Sequence, residues 1–392
     1  MGKAGGLLPS WYWPEGVQRY ISAPPVPIDE MCVGRWARRY GGRPALALSH
    51  GELTYRELAE LVSRAASSLI QGWGEGPRLA LHLTDPLGMA VIFFAAVRLG
   101  LQVLLLDPRR SLPEWSWALE LFRPIGVVDD DEAKRIIHGE APPSPPRRPA
   151  PSSPIVALPE GAGLVYHSHT SLLSAAIAVA VFFQLEPEDR LLVAAPWATW
   201  EGLLGLLASL QGGGTALAGL WEEAGLSEAL GRYRPKALWL PSGADPSLLQ
   251  ETPLTREVRR TSPWLLLSVG SVWPKSLRRR LRRRLGVHVL TVYGYGATGL
   301  IAASHPSWYL DDAVGIPMTG VDLVPIDPAT SQPLDVPWEA LSYAGIGVKS
   351  RALAPKLEGR LPYPGTLEDD LFYTGDQGCL DLNGMLYLLS RG

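Results

Sequence analysis

Hydrophobic and polar positions along this chain switch repeatedly between a helical period and short apolar runs. Glu52 to Ile70, "ELTYRELAELVSRAASSLI", carries apolar residues at helical spacing, with Thr54 as N-cap and Glu57 three residues later as its capping-box partner. Arg78 to Leu83 reads as a strand and Pro86 to Leu99 as a buried helix closed by Gly100. Gln102 to Leu106 reads as a strand that ends at Asp107-Pro108. A helix around Leu112 to Phe122 and a strand at Ile125 to Val128 follow. From Ile155 the alternation resumes with a strand, a glycine turn and a second strand. Helices are expected at Ser171 to Gln184, Gly202 to Leu210 and Lys275 to Leu285, and strands at Leu191 to Ala195, Ala237 to Leu240, Trp264 to Ser268 and Val287 to Val292. Such β–α–β alternation predicts parallel sheets with helices on their faces.

After about residue 300 the helices thin out. Short β-like pieces appear at Asp322 to Ile326, Gly347 to Ser350, Gly378 to Asp381 and Met385 to Leu389. The pattern therefore predicts an α/β fold of two packed subdomains with parallel-rich sheets, 1–150 and 151–300, and a smaller β-rich subdomain, 301–392. The first is expected to end in a connector at 141–154, "APPSPPRRPAPSSP", whose seven prolines resist helix and central strand. A ligand for a proline-binding partner is the other reading of that run.

Composition narrows the class. Of 392 residues 46% are hydrophobic and 19% charged, which suits a sizeable core and argues against disorder. A net charge of -3 argues against a nucleic-acid partner. Cys32 and Cys379 are too few for a disulfide framework or a cysteine zinc site, so a cytoplasmic location is expected. The N-terminus lacks the apolar core of a signal peptide, and Leu172 to Phe183 falls short of the roughly 20 residues of a membrane span. The single asparagine, Asn383, amid abundant Arg and Pro fits a thermophile or a GC-rich genome equally.

Three motifs could carry chemistry. Gly161-Ala162-Gly163 follows a strand and reads either as a tight turn or as a phosphate cradle. "VYGYGAT", Val292 to Thr298, ends an apolar strand, where a purine could stack on Tyr293 or Tyr295, or the rings could simply fill a buried turn. "YTGD", Tyr373 to Asp376, offers a carboxylate behind a Thr-Gly turn between β-like pieces, suited to vicinal hydroxyls or equally an ordinary turn Asp. In "KSLRRRLRRRLG", Leu277, Leu281 and Leu285 form a buried stripe that leaves the arginines on a solvated face, an anionic partner such as nucleic acid or lipid headgroups being the other reading. His167 and His169 lack an evident third ligand, and no metal site is predicted.

Read in order, "AVRLGLQVLLLDP", "VYHSHTSLLSAA", "LLVAAPWATWEGLLGLLASLQGGGTAL", "LLLSVGSVWPKSLRRRLRRRLGVHVLTVYGYGATG", "VGIPMTGVDLVPID" and "FYTGDQGCLDLNGMLYLLSRG" resemble the large N-terminal domain of adenylate-forming enzymes. These are the AMP-forming acyl-CoA synthetases with their luciferase and peptide-synthetase relatives. The resemblance runs from about residue 28 to the last residue. It implies adenylation of a small, apolar carboxylic acid by ATP, then thioester formation with a thiol such as CoA. It implies that Tyr293, followed by Gly294 and Thr298, engages adenine, that Asp376 holds the ribose hydroxyls, and that Arg391 sits at the hinge. Gly161 and Gly163 would be the remains of the phosphate loop. Trp197, Trp200, Val269, Gly270 and Trp273 would line an acyl pocket.

Departures accompany the matches. "ALPEGAGLVYHSH" is about three residues shorter than the family's phosphate loop and lacks its hydroxyls and Lys. The family's Tyr-Gly-x-Thr-Glu supplies a Mg²⁺-holding Glu. One register puts Ala297 there and a register two residues on puts Gly299 there, so Mg²⁺ is in doubt. Thr199 stands where an aromatic residue or His is common, and the chain stops where the small domain with the catalytic Lys would begin. Three readings follow: a ligase relying on a separate C-terminal domain or partner protein, an inactive relative that senses an acyl compound or nucleotide, and an interaction module keeping only the fold.

Overall fold

The computed structural model describes residues 13–49, 51–73, 78–139, 152–218, 223–245, 249, 253–268, 275–368 and 370–390. The expected helix after Thr54 forms as Tyr55–Trp73, and its capping box is present: Glu57 Oε2 accepts from the Thr54 N–H at 2.8 Å, and the Glu57 N–H donates to Thr54 Oγ1 at 3.3 Å. Asp85 caps the buried helix Pro86–Arg98, which crosses between the parallel strands Arg78–Leu81 and Gln102–Leu105. Val127–Val128 joins the same ladder, and Pro154–Glu160 pairs in parallel beside Gln102–Leu105. The chain then reverses into Ala162–Ser168, whose far edge is taken by Lys356–Arg360, nearly two hundred residues later.

A second sheet runs Leu191–Val193, Ala237–Leu240, Trp264–Ser268 and Val289–Tyr295 in parallel, extended antiparallel by Gly299–Ala303 and Ile316–Pro317. The helix His169–Phe182 is apolar nearly all round because it is sandwiched, touching strands of both sheets. The third sheet is antiparallel, with Val321–Ile326, Ala344–Ser350, Leu371–Leu380, Thr366–Glu368 and Leu386–Ser390. A small fourth sheet joins Gly51–Thr54, Pro44–Leu48 and Ala216–Leu217, so the fold is α/β with two parallel-rich sheets, a separate antiparallel one and this short mixed one.

Two expectations need correction. The boundary at residue 150 does not separate sheets, because the hairpin Pro154–Ser168 completes the first sheet by pairing with Gln102–Leu105, and a strand from beyond residue 300 closes its edge. "YTGD" is not a turn between strands. It lies inside the ten-residue strand Leu371–Leu380, where the pairing with Gly345 and Gly347 slips and Gly375 adopts φ 81°, making a bulge that aims Asp376 inward. Most of the proline-rich connector lies outside the described residues.

Candidate functional site

The site begins at the turn between Glu160 and Gly163. These two residues pair directly, so Gly161 and Ala162 alone make the reversal, and Gly161 takes φ 64° as such a two-residue hairpin requires. The turn is packed from outside: a Cβ on Gly161 would meet Pro362 Cδ at 2.8 Å and its backbone N at 2.9 Å. Gly163 pairs with Glu160 on one side and Gly359 on the other, so it stands within a ladder and not in an open loop.

Opposite the turn, Val289–Tyr295 ends in the Gly294–Gly299 reversal. Thr298 Oγ1 accepts from the Tyr295 N–H at 3.1 Å and donates to Gly299 O at 2.9 Å, which shapes that end. The Tyr293 ring, expected to face a purine, is wholly buried. Its phenol donates to Asp376 Oδ2 at 2.6 Å, and no face of the ring is open to a ligand. Tyr295 donates to the same oxygen at 2.5 Å, and its half-buried ring is the one that reaches open space. Asp376 is 1% exposed beneath the two phenols.

Between these ends lies a cavity of about 420 Å³, walled by Leu105, Asp107, Trp115, Leu158, Glu160, Thr199, Trp200, Glu201, Ser242, Gly294, Tyr295, Gly296 and Tyr363, among others. Glu160 Oε1 accepts from the Gly296 N–H at 3.2 Å, and Oε2 accepts from Tyr363 Oη at 2.7 Å. A Cβ on Gly296 would lie 2.5 Å from Glu160 Oε2 and push that carboxyl from its place. Loss of water pushes the Glu160 carboxyl up to about 7, with Glu201 adding repulsion and the Tyr363 and Gly296 bonds opposing. Glu201 is raised for the same reason, against backbone hydrogen bonds and the nearby Arg109. Thr199 caps the helix Trp200–Gln211, accepting from the Gly202 N–H, and so turns Trp200 to the cavity. Behind Trp200, the His167 ring stacks at 4.9 Å and 11°, while His167 Nε2 meets Gly296 O at 2.9 Å. Burial holds His167 down to about 4, so it is neutral and donates through Nε2.

Of the residues singled out in the sequence, Trp200 and Gly294 stand on the cavity wall, together with Tyr295. Trp197 is 4% exposed within the core and off that wall. Gly161, Gly163, Thr298, Tyr293 and Asp376 shape the surroundings without lining the cavity. Val269, Gly270, Trp273 and Arg391 lie outside the described residues. Sequence reading missed Glu160, Glu201 and Tyr363. Glu160 directly precedes the glycine turn, a usable signal, but its union with Tyr363 across 203 positions has none.

Among the described residues no three His, Cys, Asp or Glu side chains gather as a metal site, and no helix is long and apolar enough to cross a membrane. The basic helix Lys275–Leu285 buries Leu281 and Leu285, while Arg279 and Arg282 bond to Asp311 at 2.6 and 2.5 Å.

No curated protein matches the sequence. Among solved structures, apo MatB from Rhodopseudomonas palustris matches with a TM-score of 0.80 at 19% identity, over 94% of this chain and 79% of its own. The o-succinylbenzoate coenzyme A synthetase of Bacillus subtilis, in complex with AMP, matches with 0.78 at 20% identity, over 94% and 79%. The amide bond synthetase Mcba of Marinactinospora thermotolerans, as a K483A mutant, matches with 0.76 at 20% identity, over 93% and 79%. The family described as AMP-binding enzyme matches residues 33–156 and 164–340, breaking only at the segment that holds the shortened turn. With both stretches matched, and the large-domain fold shared with those synthetases, this chain belongs to the AMP-binding enzyme family of adenylate-forming proteins.

Proposed function

We propose that this chain is a ligand-binding member of the adenylate-forming family that does not carry out ATP-driven ligation on its own. One observation carries the reading: where triphosphate would need free backbone N–H groups, hydroxyls and a cation, a two-residue turn packs against Pro362. The cavity wall carries Glu160 and Glu201 and no Lys or Arg among the described residues, so it offers polyphosphate no cation. ATP with Mg²⁺ does not fit these residues. A free carboxylate substrate meets the same two glutamates, and CoA has no acyl group to receive. Tyr295, in place of Tyr293, is the ring available to a purine. Adenosine compounds are therefore expected to bind in the order adenosine, AMP, MgATP, weakening as negative charge grows.

The test is acid-dependent pyrophosphate exchange into ATP by the full chain, with Mg²⁺ and a panel of carboxylic acids. No exchange above the protein-free blank is expected, and clear exchange by this chain alone would overturn the reading. Tyr295 still bonds both Thr298 and Asp376, which favours a second reading: an acyl-CoA synthetase-type ligase whose cations come from a further domain or partner protein. Exchange appearing only when such a partner is added would select it.

A further inference from the structure

Family members bring triphosphate to this place, yet the charge on the cavity wall has the opposite sense. Asp107, Glu160 and Glu201 line it. Asp107 is answered by Arg109 at 2.7 Å. The donors on Glu160 are both neutral, a phenol and a backbone amide, and Glu201 is met by backbone N–H groups and only at longer range by Arg109, which Asp107 already engages. Two half-buried carboxylates lining one cavity favour a cation between them. The same walls present aromatic rings, Trp115, Trp200, Tyr295 and Tyr363. His167 covers only one face of Trp200, and Tyr295 and Tyr363 lie tilted against each other at 4.3 Å. Ring faces beside carboxylates attract ammonium groups, the rings through their quadrupole and the carboxylates through charge-assisted hydrogen bonds.

We propose that the cavity binds a small primary amine, its ammonium group between Glu160 and Glu201 and its apolar body against Trp200 and Tyr295. The proposal rests on the reading that this cavity no longer handles triphosphate. Its volume of about 420 Å³ lies near the small end of the roughly 300–1,000 Å³ usual for ligand pockets, so the ligand is metabolite-sized. The ammonium favours ionised Glu160, whose carboxyl otherwise titrates near 7. The titratable groups facing it are Glu201, Asp107 with Arg109, Tyr295 and Tyr363, with neutral His167 behind Trp200. Binding therefore releases a proton at pH 6.5, and affinity rises between pH 6 and 8.

The experiment is calorimetric titration of the full chain with phenethylamine, phenethyl alcohol and 3-phenylpropanoate, in buffers of different ionisation enthalpy. The amine is expected to bind at least about tenfold tighter than the other two, with proton release at pH 6.5. Glu201→Gln and Glu160→Gln are each expected to weaken the amine by about tenfold or more. Unliganded melting temperature checks that each variant folds, and either variant alone suffices. Equal binding of the alcohol or the acid, or amine binding indifferent to both substitutions, would overturn the cation site. MgATP titrated in parallel separates the two conclusions. Tight MgATP binding overturns the proposed function, whereas failure of both MgATP and amine to bind overturns the cation site alone.

Discussion

Tyr293 and Tyr295 show how two equivalent-looking residues part company. Two apart on one strand, they share a face, and both phenols reach Asp376 Oδ2. The sequence offers two registers for the Tyr-Gly motif and no means to choose, because the choice depends on how deep in the sheet each ring lies. Pairing with Gly299–Ala303 slips between Tyr293 and Gly294, leaving Tyr293 inside the core and Tyr295 at the open end. Water can replace the Tyr295 phenol but not the Tyr293 phenol. Tyr293→Phe is therefore expected to cost about 1.5–3 kcal/mol, the worth of a hydrogen bond to a charged group, and Tyr295→Phe about 0.5–1.5 kcal/mol. Urea midpoints at unchanged slope give the comparison. Equal costs would mean that Asp376 is as wet at one phenol as at the other.

Elements were legible where burial wrote a strong pattern. Ala237–Leu240, Trp264–Ser268 and Lys275–Leu285 form over the residues their apolar pattern marks. The helices Asp130–His138 and Pro253–Thr261 were missed because each buries only three residues, Ala133, Ile136 and Ile137 in one and Leu254, Thr255 and Val258 in the other. Lys356–Arg360 was missed because it is a polar edge strand recruited from far along the chain. Its arrival also explains the site, since the residues after it, Pro362 and Tyr363, seal the glycine turn and bond Glu160. Gly161→Ala forces a Cβ into a positive-φ position and toward Pro362 at 2.8 Å. A loss of about 1–2 kcal/mol is expected from the backbone alone. The displaced Pro362 should also pull Tyr363 from Glu160. Chemical denaturation reads the first effect, and a crystal structure of the variant reads the second. An unshifted midpoint would show that the turn has room, reopening the place where a phosphate loop would stand.

Across the whole molecule, neutral histidines sit where separate parts of the chain meet. His167 joins the first sheet to the end of the second, His169 Nδ1 accepts from the Ile28 N–H at 3.1 Å, and His305 lies buried beside Phe182. Burial holds each at about 4, against an ordinary 6.5. The unfolded chain then binds more protons, so their contribution is complete above pH 6.5 and is lost as pH falls through 4. Glu160, raised to about 7, and Asp29, raised to about 6 by burial despite Arg98 at 3.6 Å, act in the opposite sense: the folded state holds their protons, and stability falls as pH rises toward 7. The opposing slopes overlap, so the wild-type profile is flattened and hides both. Single substitutions separate them. The stability advantage of wild type over His167→Gln should shrink by roughly 3 kcal/mol between pH 6.5 and 4, since a buried imidazole 2.5 units low carries about 1.36 kcal/mol per unit. Against Glu160→Gln the trend reverses, with the variant gaining on wild type between pH 4.5 and 7 as the half-buried carboxylate is forced to ionise. Parallel profiles for wild type and both variants would mean that water reaches His167 and solvates the Glu160 carboxylate.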